Sequence, residues 1–157
     1  MKIEELEEDI ITFFTERVKE LTLPIELKFL YQAVTSQKVL LKLTKIPEQY
    51  KFATGCDILV QVNPEYFDAF DANDSKINEI LFDQEVDNIS FNMEKGTLKL
   101  SKPTFKSNKG IIDKYSYEEV SRAVEAEKLF VEQQLDKEKE NNEQKKEQKN
   151  KKPFPNK

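Results

Sequence analysis

The chain has 157 residues, of which 35% are charged and 38% apolar, and its formal net charge is −5. This length and composition predict one folded domain with its own core. No apolar run approaches the roughly 18 residues that a membrane-spanning helix needs, and the acidic N-terminus is unlike a secretory leader. We therefore expect a cytoplasmic protein without membrane contact.

Histidine is absent from the chain, and Cys56 is the single cysteine. Without histidine the commonest general base and the commonest zinc ligand are both missing, which excludes Ser-His-Asp, Cys-His and His-zinc chemistry. Cys56 has no partner for an internal disulfide, and we interpret it as a buried reduced thiol. Catalysis or metal binding by carboxylates alone stays open.

The N-terminal part of the chain predicts a helix followed by strands. Residues 2–21 repeat apolar side chains at helical spacing, which indicates an amphipathic helix that ends before Pro24. Residues 25–31 alternate between apolar and polar side chains and predict a strand. Residues 39–44 fit either a second strand or a short helix.

The next part predicts an irregular section, a buried strand and a short helix. Residues 46–55 lack a regular period, and their aromatic Tyr50 and Phe52 are expected to cover the core. Residues 58–60, Ile-Leu-Val, predict a strand in the centre of the sheet that is buried on both faces. Residues 63–64, Asn-Pro, have the pattern of an N-cap and first helical residue.

Residues 77–89, INEILFDQEVDNI, predict the helix around which the fold is organised. Its apolar side chains form two rows, so we expect packing on more than one side. The main row becomes polar at Gln84 and Asn88, with Glu85 beside them. These three groups must be paired or hydrated, because a buried unsatisfied polar group costs about 1–3 kcal/mol. The row expected to face water comprises Asn78, Glu79, Asp83 and Asp87.

Residues 71–74 are expected to cap this central helix. The same segment opens like a calcium-binding loop, but Lys76 and Phe82 stand where that loop needs Gly and Glu. We predict a helix cap and no calcium site.

Residues 84–88, QEVDN, keep the frame of the zinc-binding H-E-x-x-H motif with both histidines replaced. Before them come a strand of sequence DILVQV (residues 57–62) and a short helix (residues 65–70), and a hairpin around Gly96 follows. In this order of elements, over about residues 25–115, the chain resembles the putative phage metallopeptidases, a zincin-like family.

The resemblance implies a metallopeptidase-like fold and a phage-encoded protein. It places the third zinc ligand within residues 102–105, where neither Pro103 nor Thr104 can replace histidine. The family's zinc site is therefore degenerate at all three positions, and we expect no catalytic residue, no metal and no cofactor. What remains is a vestigial site that consists of Gln84, Glu85 and Asn88.

The C-terminal part predicts a hairpin and a long helix. Residues 89–100 alternate on both sides of a turn at Gly96. Residues 110–115 predict a short helix or turn. Residues 116–119, Ser-Tyr-Glu-Glu, read as a capping box, with Tyr115 and Val120 placed as a hydrophobic staple.

Residues 1–135 form the predicted α+β domain: an N-terminal helix, a small mixed sheet with a hairpin packed on the central helix, and a long C-terminal helix. Residues 136–157 have almost no apolar side chains; we expect their first part to continue the helix and the rest to be a disordered, Lys-rich tail. The tail carries a net charge of +3 and residues 1–135 carry −8.

Several functions fit this pattern. The first is a catalytically inactive metallopeptidase-like protein that binds another protein or serves as a structural accessory. Alternatively, QEVDN is an ordinary helical segment with no ancestral site. A hydrolase would need a hard cation held by Glu85, Asp83 or Asp87 with amide oxygens. A nucleic-acid accessory protein would use the basic tail, although the acidic body argues against an extended nucleic-acid surface. The oligomeric state stays open.

Overall fold

The computed structural model describes residues 3–21, 23, 25–100 and 113–150. The positions predicted for Pro24, for the third ligand at Pro103 and Thr104, for residues 110–112 and for residues 151–157 lie outside these ranges. In chain order the elements are β1 (Ile3–Glu4), α1 (Glu8–Glu20), β2 (Phe29–Val34), β3 (Leu41–Lys45), α2 (Glu48–Thr54), β4 (Ile58–Val62), α3 (Pro64–Asn73), α4 (Ser75–Asp87), β5 (Ile89–Asn92), β6 (Thr97–Leu100) and α5 (Tyr117–Asn150).

Strands β1 to β4 form one mixed sheet in the order β1-β2-β4-β3. Strand β2 runs parallel to β4, with Leu30 beside Leu59, and β3 runs antiparallel to β4, with Thr44 beside Leu59. Strand β4 is therefore central, as predicted. The α+β architecture with a small mixed sheet is confirmed.

Two boundaries near the N-terminus differ from the prediction. Helix α1 begins at Glu8, not at residue 2, because the backbone before it is extended and pairs as β1 with Ala33 and Val34 at the end of β2. Strand β2 begins at Phe29 and continues through Val34. The ambiguous segment after it is a strand, β3.

The core lies between one face of the sheet and the helices. Phe14 of α1 is fully buried there and stacks on Tyr31 of β2 with ring centroids 6.1 Å apart. The same ring lies 4.9 Å from Phe82 of α4 and 5.6 Å from Phe67 of α3. One phenylalanine thus joins the sheet to three helices.

The other face of the sheet is more open than predicted. In β4 the side chains of Ile58, Val60 and Val62 are buried and those of Leu59 and Gln61 are half-buried. The expectation that β4 is buried on both faces is therefore wrong. Its apolar composition suits a two-sided core, but the helices that carry the core pack on the Val60 side.

Residues 48–54 form a short helix, α2, rather than an irregular section. Pro47 precedes it, and Gly55 ends it at φ 66°, where a residue without Cβ is favoured. No residue of α2 is buried. Tyr50 is 57% and Phe52 98% exposed. The prediction that these two aromatic side chains cover the core is wrong.

The predicted caps and the hairpin are confirmed. Asn63 accepts a hydrogen bond from the backbone N–H of Glu65, and Asp74 accepts one from Lys76, which fixes the starts of α3 and α4. Gly96 has φ 60° in the turn between β5 and β6. The hairpin packs Ile89, Leu98 and Leu100 against the core.

Helix α5 also starts as predicted, because the Ser116 hydroxyl accepts the N–H of Glu119 and Tyr115 and Val120 are both buried. It continues past Leu135 to Asn150, in line with the expectation that the first part of the tail extends the helix. Lys and Glu are good helix formers, and pairs such as Asp136 with Lys139 support this exposed part. Among the described residues, no helix has the length and apolar character needed to span a membrane.

Candidate functional site

The residues of the vestigial site lie together at the C-terminal end of α4. Gln84 and Asn88 are four residues apart and therefore share one face of the helix, with Glu85 beside them. Asn88 is only 4% exposed, whereas Gln84 and Glu85 are half-buried. The predicted change of this face from apolar to polar is present in the fold.

Asn88 ends α4 and is held by its backbone. Its N–H donates to the carbonyls of Glu85 and Val86. Its side-chain Oδ1 is buried without a hydrogen-bond partner, which is true of one other described residue, Asn78. An orphaned acceptor of this kind costs about 1–3 kcal/mol. The donor set of Asn88 and Gln84 is two amides, and amides are not among the usual ligands of zinc.

Glu85 faces another carboxylate. Burial raises the pKa of Glu85, and the negative charge of Glu127 on α5 raises it further. Burial also raises the pKa of Glu127, although its carboxylate accepts the backbone N–H of Leu40 at 3.1 Å, which acts in the opposite direction. Two like charges therefore meet at the contact between α4 and α5.

The three polar groups were expected to be paired or hydrated, but no hydrogen bond to the Glu85 side chain is found among the described residues. Gln84 and Asn88 make no side-chain bond to it in that part of the chain. Among the described residues, the charge that acts on the half-buried Glu85 carboxylate is that of Glu127, which repels it. Such a group favours its protonated form.

The strongest polar cluster of the described fold lies elsewhere on α4, at Asp83. The Asp83 side chain is fully buried and accepts hydrogen bonds from Arg17 Nε at 2.8 Å and Arg17 Nη2 at 2.5 Å. The Tyr115 hydroxyl and the Lys114 ammonium also donate to it, at 2.5 Å and 3.2 Å. We call Arg17, Asp83, Lys114 and Tyr115 the Asp83 cluster.

The prediction that Asp83 and Asn78 face water is wrong. Asn78 is fully buried and donates its side-chain amide to the carbonyl of Phe67 at 3.1 Å. Both side chains are buried in the packed interior, where only a polar partner allows a polar side chain. Glu79 is half-buried and Asp87 is exposed, closer to the expectation.

A signal for the Asp83 cluster is present in α1. Arg17 lies on the buried row that also holds Ile10 and Phe14, and it is itself only 8% exposed. A charged residue on an apolar row needs a partner of opposite charge in the same core. Sequence reasoning did not use this position.

The Asp83 cluster is structural in its chemistry. Burial alone would raise the pKa of Asp83, but the hydrogen bonds from Arg17 and Tyr115 and the positive charges of Arg17 and Lys114 outweigh it, so the pKa lies below its ordinary value. Asp83 is thus ionised, with its two oxygens engaged by four donor atoms from three residues. It is not free to bind a metal ion or to move a proton.

The hydrolase alternative required a cation held by Glu85, Asp83 or Asp87. Asp83 is engaged by its own cluster, and Asp87 is exposed. Among the residues that the structure describes, no group of three or more Asp, Glu or Cys side chains is arranged to hold a metal ion. The position of the third family ligand lies outside those residues.

Comparisons with protein-family models, with curated proteins and with solved structures found no match. The resemblance to the metallopeptidase family therefore rests on the QEVDN segment and on the order of elements alone. In the described fold that order is strand β4, helix α3, helix α4 and the hairpin β5–β6.

Proposed function

We propose that this protein is a catalytically inactive, metallopeptidase-like module that acts by binding another protein. We further propose that it is phage-encoded and works in the cytoplasm of the host; the phage origin rests on the family resemblance alone. The observation that carries the binding role is helix α2, which buries none of its residues and presents Tyr50 and Phe52 to solvent.

Exposed aromatic side chains support a protein-binding role for a physical reason. A phenylalanine that is 98% exposed gains nothing from the fold, whereas aromatic side chains are enriched at the energetic centres of protein interfaces. Tyr50 and Phe52 lie within one turn of each other on the same short helix. Single surface hydrophobics are common, but Tyr50 also lines an apolar pocket together with Leu30 and Leu59 of the sheet, and grouped apolar surface marks interaction sites.

The vestigial site supports the part of the proposal that says the protein is catalytically inactive. A zinc peptidase uses its glutamate to activate a water bound to the metal, and the metal is normally held by three protein ligands. Here Glu85 lies between two amide side chains and opposite Glu127. A water that no cation polarises keeps the high pKa of bulk water, so Glu85 would have no hydroxide to generate.

The nucleic-acid alternative gains no support from the described part of the tail. Residues 136–150 carry five lysines and five carboxylates, so this part of α5 is neutral overall. A mixed-charge helix lacks the positive excess that phosphate backbones require. We therefore propose a protein partner, with nucleic-acid contact through the basic residues 151–157 as the alternative.

The proposal is tested by affinity capture of the tagged full-length chain from the cells in which it naturally acts, with and without nuclease. We expect a protein partner that survives nuclease and is lost with the double variant Tyr50→Ser, Phe52→Ser. The matched control is Tyr117→Ser, which removes an aromatic side chain that is 70% exposed at the start of α5.

Two results would contradict the proposal. If nuclease removed all captured proteins, the tail would be acting through nucleic acid. If the wild-type chain cleaved an unstructured protein such as casein and Glu85→Gln stopped the cleavage without unfolding the chain, the protein would be an enzyme.

A further inference from the structure

An apolar groove lies on the open face of the sheet, beside α2. It has a volume of about 230 Å³ and is lined mainly by apolar atoms. Leu30 and Leu59 form its floor, and Ile46, Pro47 and Tyr50 form its wall. Leu30 is 39% exposed, so the floor is accessible from solvent.

Strand register explains why the groove is continuous. Leu59 in β4 lies between Leu30 in β2 and Thr44 in β3, and all three side chains point to the same face. Helix α2 follows β3 directly and places Tyr50 and Thr54 along one side. The groove is therefore built from regular elements, which hold its shape before any partner arrives.

The charges around the groove are positive although the body of the chain is acidic. Strands β2, β3 and β4 contain two lysines and no Asp or Glu. Lys45 lines the groove, and Lys42 is exposed two residues before Thr44, on the same face of β3 as Thr44. The segments that border the groove carry Lys28, Lys42, Lys45 and Lys51, and their carboxylates are Glu48 and Asp57.

Asp57 offsets the charge of Lys51 and leaves Lys42 and Lys45 unopposed, because its carboxylate is already engaged. Its carboxylate accepts the backbone N–H of Lys28 at 2.9 Å and pairs with Lys51 at 2.9 Å. Burial raises the pKa of Asp57, but these contacts lower it by more, so the carboxylate is ionised and engaged. Lys42 and Lys45 have no acidic neighbour among the described ion pairs.

We infer that this groove binds an acidic segment of a partner protein, which inserts one large apolar side chain between Tyr50 and Leu59 and sets its carboxylates against Lys42 and Lys45. The inference rests on the proposed protein-binding function and specifies its surface and partner chemistry. The apolar insertion supplies affinity, and the charges supply orientation and selectivity against basic segments. Phe52, at the exposed side of α2, extends the contact beyond the groove.

The test is a titration of the isotope-labelled full-length protein, followed by amide NMR shifts, with short synthetic peptides. Each peptide carries one central Leu, Ile, Phe, Tyr or Trp between Glu and Asp residues. A second set carries Lys in place of the acidic residues. We expect at least one acidic peptide to shift the amides of Leu30, Thr44 and Leu59, and we expect the basic set to leave them unchanged.

Two variants measure the apolar and the charged contribution separately. Tyr50→Ser and Lys45→Glu should each weaken the binding of the acidic peptide by at least about tenfold. The controls are Tyr117→Ser and Lys99→Glu, an exposed lysine of β6, and they should stay within about twofold of the wild type. Unchanged shifts far from the groove show that each variant is folded.

Four outcomes would overturn the inference. The first two concern the peptides: no acidic peptide shifts the groove amides, or the basic set binds equally well. The third is that anionic vesicles shift the groove amides while the peptides do not, and the fourth is that the groove amides shift with protein concentration in the absence of peptide. The last outcome would assign the groove to a second copy of the chain. If the Lys45→Glu protein bound the captured partner as tightly as the wild type does, the inference about the groove would be wrong. The proposed protein-binding function would still stand.

Discussion

Arg17 and Asp83 join α1 to α4 through two parallel hydrogen bonds, 2.8 Å from Nε to Oδ1 and 2.5 Å from Nη2 to Oδ2. The two residues are 66 positions apart in the chain, and the Asp83 side chain has no exposed surface. Paired in this way, two charges can remain inside the core. Breaking the pair leaves one charge buried without compensation.

Asp83→Asn should therefore lower the free energy of unfolding by about 3–5 kcal/mol, measured by urea denaturation at pH 7. Glu20→Gln is the control: Glu20 also bonds to Arg17, at 2.6 Å, but is 68% exposed, so its loss should cost less than about 1 kcal/mol. Equal costs for the two variants would mean that Asp83 is not buried in solution.

The cost of Asp83→Asn should also depend on pH. The pKa of folded Asp83 is lowered, so its contribution is present above the unfolded value of about 3.9 and is lost as pH falls through the folded value. Urea titrations at decreasing pH should bring wild type and Asp83→Asn together only below pH 4. A constant difference down to pH 2 would contradict this assignment.

Glu85→Gln should raise the melting temperature at pH 8. A carboxyl group with a raised folded pKa stabilises the fold while it is protonated, fully below the unfolded value of about 4.3, and that contribution disappears as pH rises through the folded value. Glutamine keeps the shape without the charge, so the gain should vanish at pH 4. Glu125→Gln, at an exposed position of α5, is the control and should change nothing.

Zinc should not copurify with the chain in stoichiometric amount, because Gln84 and Asn88 offer amide oxygens where zinc takes imidazole, thiolate or carboxylate. Elemental analysis of protein dialysed without chelator should find well under one zinc per chain, and added zinc should not raise the melting temperature. One zinc per chain after dialysis would contradict the alignment with the metallopeptidase family.

Gln84→His combined with Asn88→His should restore weak zinc affinity but no cleavage of peptides, because the third ligand is still missing. The measurement is a zinc titration followed by calorimetry, with a casein cleavage assay on the same sample. Cleavage by the double variant would mean that the third ligand lies at another position than Pro103 or Thr104.

Truncation after Leu135 should leave the melting temperature of the body nearly unchanged. The contact of the removed segment with the body that the described residues show is an ion pair between Lys38 and Glu138, at 3.6 Å and with both side chains more than half exposed. Such pairs are worth at most about 1 kcal/mol. A fall of more than a few degrees in calorimetry would reveal further docking.

Sequence reasoning predicted α1, β2, β4, α3, α4, the hairpin and α5, but not β1 or α2, because each predicted element carries a local signal. Asn63 and Asp74 cap helices, Gly96 turns the hairpin, and the periods of α4 and β4 are visible in a few residues. Local signals act over one or two turns of chain. They are therefore readable without knowing what the element packs against.

The position of Asp83 could not be read from α4 alone. An aspartate on a helix is usually solvated, and its burial here depends on Arg17, which lies in another helix and far away in sequence. Periodicity assigns a side to each residue but not the partner on that side. Considering Arg17 on the apolar row of α1 together with Asp83 would have predicted the pair.

The prediction for residues 46–55, which contain α2, failed although the local signals were present. Its limits have clear signals, Pro47 before it and Gly55 after it, but Tyr50 and Phe52 were assigned to the core because aromatic side chains are usually buried. In the fold, α2 borders the open face of the sheet, away from the core, and its aromatic side chains remain exposed. An exposed aromatic pair is informative because burial is the ordinary outcome.

Beyond Glu138, α5 continues for about 18 Å, at 1.5 Å per residue, with all its described side chains exposed. A helix of this length that gains nothing from packing is marginal in water and unravels gradually with temperature. The circular dichroism of the full chain at 222 nm should thus decline steadily well below the cooperative transition of the body. A van't Hoff enthalpy taken from that signal would underestimate the calorimetric one, and aromatic near-ultraviolet dichroism, which reports the packing of Phe14 and Tyr31, is the better measure of unfolding.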